Sequence, residues 1–304
     1  VTPQARGHLA MLVFSALVAG SFSLGSLIAN QIAPEAITAA RFLIASVVIG
    51  VAALMTTGLP RSVAQAPWRY LVLGGLFASY FVLMFHGLKT APPVSAAAVF
   101  TLTPVMSAVA GWVLLRQITT PRMGLALTVG AVGALWVIFR ADWRAFAAFE
   151  IGGGEIIFFW GCVAHAIYTP MVRKLNRGEP AVVFTFGTLV AGCLLLTLYG
   201  WADIRATDWV NLPLIVWVGL LYVSIFATAA SFVLVQFATL RLPSAKVMAY
   251  TYLTPSWVIL WEIALGQQPP ALLIFVGAIL TVVALLLLLK AEDQHRVPAQ
   301  SAPE

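Results

Sequence analysis

Apolar residues run almost without interruption through ten stretches of this chain, at 8–28, 34–55, 70–88, 92–115, 122–139, 154–172, 179–200, 213–236, 243–265 and 270–290, each bounded by Pro, Gly or charge. Each is close to the ~20 residues that a helix needs to cross a bilayer. The runs are continuously apolar rather than alternating, which predicts helices and not the strands of a barrel. A helix also satisfies its own backbone hydrogen bonds inside lipid. The predicted fold class is therefore an all-α integral membrane protein of ten transmembrane helices.

Composition agrees. Of 304 residues, 61% are hydrophobic and 9% charged, with mean hydropathy +0.97, whereas a soluble chain carries about 25% charged residues. The net charge of +6 sits in short loops instead of clustering on one face, so no nucleic-acid partner is expected. Cys162 and Cys193 lie in apolar segments and read as small buried hydrophobes; the pattern supports no disulfide framework, metal site or cofactor. Arg6 precedes the first apolar run, but that run is too long for a signal peptide and is read as the first retained span.

With the N-terminus inside, eleven Lys and Arg fall on the inner side and Lys89, Arg140, Arg144 and Arg205 on the other. This predicts a multi-pass protein of the inner (plasma) membrane with both termini cytoplasmic. Residues 291–304 read as a disordered cytoplasmic tail.

The chain also repeats itself. Leu102-Thr103-Pro104 recurs as Leu253-Thr254-Pro255, and Pro92 and Ala98 recur at the same offset as Pro243 and Ala249. Val129-Gly130-Ala131 recurs as Val276-Gly277-Ala278. A five-span unit places its second copy upside down relative to the first, giving two inverted five-helix repeats, 8–139 and 153–290, joined by the link from Arg140 to Gly153. Such a design suits a transporter that opens alternately to each side.

Ala39-Ala40-Arg41-Phe42-Leu43-Ile44-Ala45 resembles the Arg-Phe signature of EamA-type members of the drug/metabolite transporter superfamily. The stretch from Gly74 through Lys89-Thr90-Ala91-Pro92 to Leu115 resembles the best-marked region of that family, and Gly219 to Gly266 resembles its second copy. Where many members carry Gly-Glu after spans four and nine, this chain has Arg116-Gln117 and Gln267-Gln268. The resemblance implies an exporter of amino acids or related metabolites. Within the family, the aromatic-rich spans look most like the aromatic amino-acid exporter branch.

Candidate solute contacts are the aromatic and polar residues near mid-span: Tyr80, Phe100, Trp160, His165, Tyr168, Tyr222, Ser231, Tyr250, Tyr252 and Trp257. Buried phenols need hydrogen-bond partners, and His165 is expected to be either a neutral histidine hydrogen-bonded to a neighbouring helix or, in function, a polar contact in the cavity or a proton-binding group. Pro104 and Pro255 each remove a backbone hydrogen bond at mid-span, as helix-break or gating positions. Arg41 stands seven residues in from Pro34, about 10 Å at helical rise, and either reaches back to the interface or acts in function. Lys246 is expected to reach the interface, and Glu262 to stand at the outer mouth.

Together these predict a cavity among spans one, three, four, six, eight and nine. Neutral polar groups would meet the charged ends of the solute, favouring a zwitterion over an anion. The partners expected are that small molecule and the lipid bilayer; Gly124, Gly130 and Gly133 in span five would allow close helix packing within one half, or a homodimer. A transporter of another metabolite or drug class is the nearest alternative. An intramembrane enzyme would need an acid/base or metal set that is not evident here.

Overall fold

The computed structural model describes residues 3–60, 65–147 and 151–290; the tail expected to be disordered lies outside them. Among the described residues, nine helices are long and apolar enough to cross a membrane. Helix α1 (Pro3–Ile28) is followed by α2 (Pro34–Thr56) and α3 (Trp68–Leu88). The fourth span is split into α4 (Pro93–Phe100) and α5 (Thr103–Leu115), and α6 (Pro121–Ile138) follows. A short α7 (Trp143–Ala147) lies in the link, before α8 (Gly153–Leu175), α9 (Ala181–Tyr199) and a short α10 (Trp201–Ala206).

The eighth span is α11 (Leu214–Ser224), a π-helical turn at Ile225–Ala230 and α12 (Ser231–Thr239). The ninth apolar run is not one helix. It consists of α13 (Ser244–Ala249), a 3-10 turn at Tyr250–Leu253 and α14 (Thr254–Ala264), before α15 (Leu272–Lys290).

Proline sets many of these boundaries. Pro34, Pro93 and Pro121 open α2, α4 and α6, where a missing N–H is harmless and the fixed φ is already helical. Pro104 and Pro255 instead stand at the second position of α5 and α14, each just after a tightened turn. Neither can donate to the preceding turn, so each α-helix restarts there.

Helix pairing crosses the midpoint of the chain. Helix α1 packs on α11, α12 and α14; α2 on α9; α3 on α8 and α9; α4 on α14; α5 on α8 and α13; and α6 on α15. Glycines permit several of these approaches: a Cβ on Gly74 would lie 2.5 Å from the backbone nitrogen of Gly192. The outer surface is itself apolar, with Leu54, Met55, Leu198, Leu272 and Leu286 exposed, as lipid contact requires. Gly133 and Gly130 do not pack within their own half: Gly133 meets Gly277 and Gly130 meets Tyr252, while nothing lies within 4 Å of a Cβ on Gly124.

Candidate functional site

The interior of the bundle holds a continuous cluster of aromatic rings contributed by both halves of the chain. Phe77, Tyr80 and Phe81 sit three and four residues apart and so share one face of α3. The Phe77 ring centroid lies 3.9 Å from Tyr168 on α8 and 4.0 Å from Phe232 on α12. Phe100, the last residue of α4, is 5.7 Å from both Tyr80 and Phe22. Phe158 of α8 completes this side at 5.7 Å from Phe22.

His165 is enclosed by these rings, at 1% exposure. Its ring lies 4.6 Å from Tyr80, 5.0 Å from Phe77 and 5.3 Å from Phe100. Its Nδ1 has no hydrogen-bond partner, and neither has the Tyr80 hydroxyl. Tyr168 differs, because its hydroxyl accepts from Gln236 Nε2 at 3.0 Å.

Arg41 reaches this cluster instead of the interface. It is 0% exposed, with its guanidinium carbon 3.7 Å above the Phe81 ring. Its Nε donates to Thr228 Oγ1 at 2.9 Å, and its Nη2 donates to the Val223 and Ala227 carbonyls at 3.2 and 3.5 Å. These acceptors lie in or beside the π-helical turn, whose wider winding shifts the usual backbone pairing. Nη1 has no partner. Of the two positions left open for Arg41, the interface and the interior, it takes the interior, and a cation joins the neutral polar groups expected there.

Local backbone breaks are taken up by side chains. Pro170 lies inside α8 and cannot donate to the Ala166 carbonyl four residues earlier, and Ser107 of α5 donates to that oxygen at 3.2 Å. Thr103, before Pro104, hydrogen-bonds back to the Phe100 carbonyl.

The other expected site residues divide by position. Ser231 is buried and donates to the Ala227 carbonyl of its own helix at 2.9 Å. Three others join α1 to the second half: Tyr222 Oη donates to the Leu17 carbonyl at 3.0 Å, Trp257 Nε1 donates to Ser15 Oγ at 3.3 Å, and Tyr250 Oη lies 3.1 Å from His8 Nδ1. Tyr252 is buried against Gly130 of α6. Trp160 does not join the cluster: it is 61% exposed on the outside of α8, where it has a ring contact with Phe159. Lys246 is 4% exposed within α13 rather than extended to the interface, and Glu262 is half-buried near the end of α14.

Carboxylates near the two ends of the bundle have hydrogen-bond partners. Arg69 at the start of α3 binds Glu179 Oε1 at 2.7 Å and the Leu175 carbonyl at 2.7 Å. Burial opposes ionisation of Glu179, but the Arg69 hydrogen bond and the backbone N–H of Arg177 outweigh it and hold the carboxyl below its ordinary range. At the other end of α3, His86 Nε2 lies 2.8 Å from Glu35 Oε1. Ser95 donates to Glu155 Oε1 at 2.8 Å in the first turn of α8. Among the described residues no group of three His, Cys, Asp or Glu is placed to hold a metal ion.

Sequence reasoning missed Phe22, Phe77, Phe81, Phe158 and Phe232. The three- and four-residue spacing around Tyr80 was the available signal for two of them.

Comparison with known proteins places this architecture. The chain is 24% identical over 300 residues to the uncharacterized transporter YyaM of Bacillus subtilis, covering 98% of this chain and 97% of that one. It is 22% identical over 298 residues to an uncharacterized transporter of Archaeoglobus fulgidus, covering 96% and 100%. Over 188 residues it is 35% identical to the aromatic amino acid exporter YddG of Ancylobacter novellus, covering 59% of this chain and 61% of that one. A solved crystal structure shares the fold at a TM-score of 0.69 and 21% identity, covering 94% of this chain and 96% of the other. The profile of the EamA-like transporter family matches residues 5–139 and again 152–290, and the chain belongs to that family.

Proposed function

We propose that this transporter exports amino acids, aromatic or other neutral ones, and that the aromatic cluster around Tyr80, Phe100 and His165 is where the solute binds. The observation that carries this reading is the position of the cluster. Rings from α3 and α4 of the first half meet rings from α8 and α12 of the second, around buried polar atoms that have no protein partner. Aromatic faces suit an aromatic side chain, and the partial likeness to an aromatic amino acid exporter points the same way.

Alternating access of two inverted five-helix repeats, 8–139 and 153–290, is the mechanism. Helix pairing supports it, because exchanging the halves leaves the pattern unchanged. The contact of α1 with α11 and α12 becomes that of α8 with α3, and α4 on α14 becomes α13 on α5. The pairs α2 with α9 and α6 with α15 map onto themselves. The rings enclose the site, so entry requires the halves to separate on one side at a time. Both termini face the cytoplasm of the inner membrane, following the distribution of Lys and Arg.

Counterflow of labelled phenylalanine and tryptophan into proteoliposomes tests the reading. Saturable exchange, inhibited by unlabelled aromatic amino acids and less by acidic or basic ones, is expected. Absence of exchange with every aromatic amino acid would overturn the substrate assignment, and recovery of a chemically altered solute would reveal an enzyme. Accessibility tags at the N-terminus and in the 140–153 link should report opposite sides of the membrane; the same side would remove the inverted arrangement.

A further inference from the structure

We infer that Arg41 is a carboxylate anchor, so that the solute is recognised as an aromatic monocarboxylate whether or not it carries an amine. The inference rests on the reading of the cluster as the solute site and specifies which part of the solute is indispensable.

Arginine keeps its charge in any protein environment, and a lone charge inside a membrane is costly. The three protein acceptors of Arg41 are neutral: one hydroxyl and two backbone carbonyls. These bonds fix the plane of the guanidinium and leave Nη1 without a partner. No carboxylate forms a salt bridge with Arg41 among the described residues. The cation is held rigidly but its charge is unmatched, and an anion is the ligand that such a group favours.

A carboxylate has two oxygens to satisfy, and the cluster holds a second unpartnered donor. The Tyr80 hydroxyl is buried without a partner. Its ring lies 4.6 Å from the Phe81 ring that carries the Arg41 guanidinium. Nη1–H of Arg41 and O–H of Tyr80 can each donate to one oxygen.

No Asp or Glu among the described residues hydrogen-bonds or ion-pairs with a residue of the ring cluster. Glu35 and Glu179 are paired with His86 and Arg69, Glu155 accepts only from Ser95 in the first turn of α8, Asp142, Asp203 and Asp208 lie in the links between spans, and Glu262 stands near the end of α14. An amine in the cluster would meet ring faces and neutral acceptors only, which give it little specificity beside a charge-paired carboxylate. Removing the amine from an aromatic amino acid should therefore be tolerated, and removing the carboxylate should not.

The test uses the full chain in proteoliposomes, with binding of labelled phenylalanine and labelled 3-phenylpropionate measured in parallel. Each is challenged with unlabelled 3-phenylpropionate and 2-phenylethylamine. The acid is expected to bind within a few-fold of phenylalanine, and the amine to compete at least about tenfold more weakly. In R41Q the preference for acid over amine is expected to disappear, and in Y80F to shrink. The series on the unaltered chain stands even if a variant fails to fold. If phenylalanine binds but the amine displaces it as well as the acid does, the anchor is overturned and the aromatic-solute reading survives. If only 3-phenylpropionate binds, the anchor stands and the amino-acid reading falls. Binding of neither compound overturns both.

Discussion

Gly133 and Gly277 face each other across α6 and α15, backbone against backbone. A Cβ on Gly133 would stand 2.8 Å from the Gly277 carbonyl oxygen, and a Cβ on Gly277 would stand 2.7 Å from the Gly133 carbonyl oxygen. Neither obstacle is the end of a flexible side chain, so the two helices would have to move apart. G133A or G277A is expected to lower stability by the roughly 1–3 kcal/mol typical of overpacking. G124A should be neutral or slightly stabilising, because nothing lies within 4 Å of its added methyl and alanine is the better helix former by about 1 kcal/mol. Thermal unfolding in detergent would compare the three; equal effects would mean that the contact between α6 and α15 is not tight.

Arg69 and Glu179 predict an acid-sensitive clasp at one end of the bundle. The pair is 2.7 Å apart with side chains 1% and 7% exposed. Glu179 is held below its ordinary value of 4.5 in the folded chain. Its contribution is therefore complete above that value and is lost as pH falls through and below it. E179Q leaves Arg69 buried without its counter-charge, a change that costs about 3–5 kcal/mol in a fully buried pair. The melting temperature of E179Q should be depressed at pH 7, and its difference from the unaltered chain should narrow on acidification. A difference that stays constant as pH falls well below 4.5 would contradict this account.

Thr228 links the guanidinium to the π-helical turn, accepting from Arg41 Nε at 2.9 Å and donating to the Val223 carbonyl at 2.6 Å. T228V keeps the shape but removes both bonds. The loss expected of a hydrogen bond to a charged group is about 1.5–3 kcal/mol, together with weaker solute binding as Arg41 gains freedom. S231A, whose hydroxyl serves only carbonyls of its own segment, should change solute affinity far less. Equal affinities for the two variants would show that the orientation of Arg41 does not matter to the solute.

Much of the membrane architecture was legible because span length and continuous hydrophobicity follow directly from bilayer thickness. The split of the ninth run was foreshadowed by Pro255, as Pro104 foreshadowed the joint between α4 and α5. What could not be read was which face of each span looks inward. These helices are apolar all round, since lipid outside and protein inside both accept Leu, Val and Phe, so periodicity carries little information. That is why Trp160 and His165 looked alike in sequence yet point in different directions. Arg41 was ambiguous for a related reason: its depth fits both a long side chain reaching for the interface and one turned inward. The π-helical turn that receives it leaves no mark on a run such as Ile225–Ala230.

Phe158 and Trp160, two residues apart on α8, give the sharpest separation of inside from outside. Phe158 is fully buried, with its ring 5.8 Å from Tyr80 and 5.7 Å from Phe22, whereas Trp160 stands on the lipid-facing side. F158A would empty part of the cluster, a change that costs about 3–5 kcal/mol for a buried aromatic, and should weaken aromatic solutes more than small neutral ones. W160A removes a ring whose surroundings are lipid before and after the change, so exchange of aromatic amino acids should persist near the unaltered rate. Proteoliposome exchange, normalised to the amount of folded protein, measures both. Loss of exchange in W160A with full exchange in F158A would place the solute outside this cluster, because the two side chains can serve opposite faces of α8 but not the same pocket.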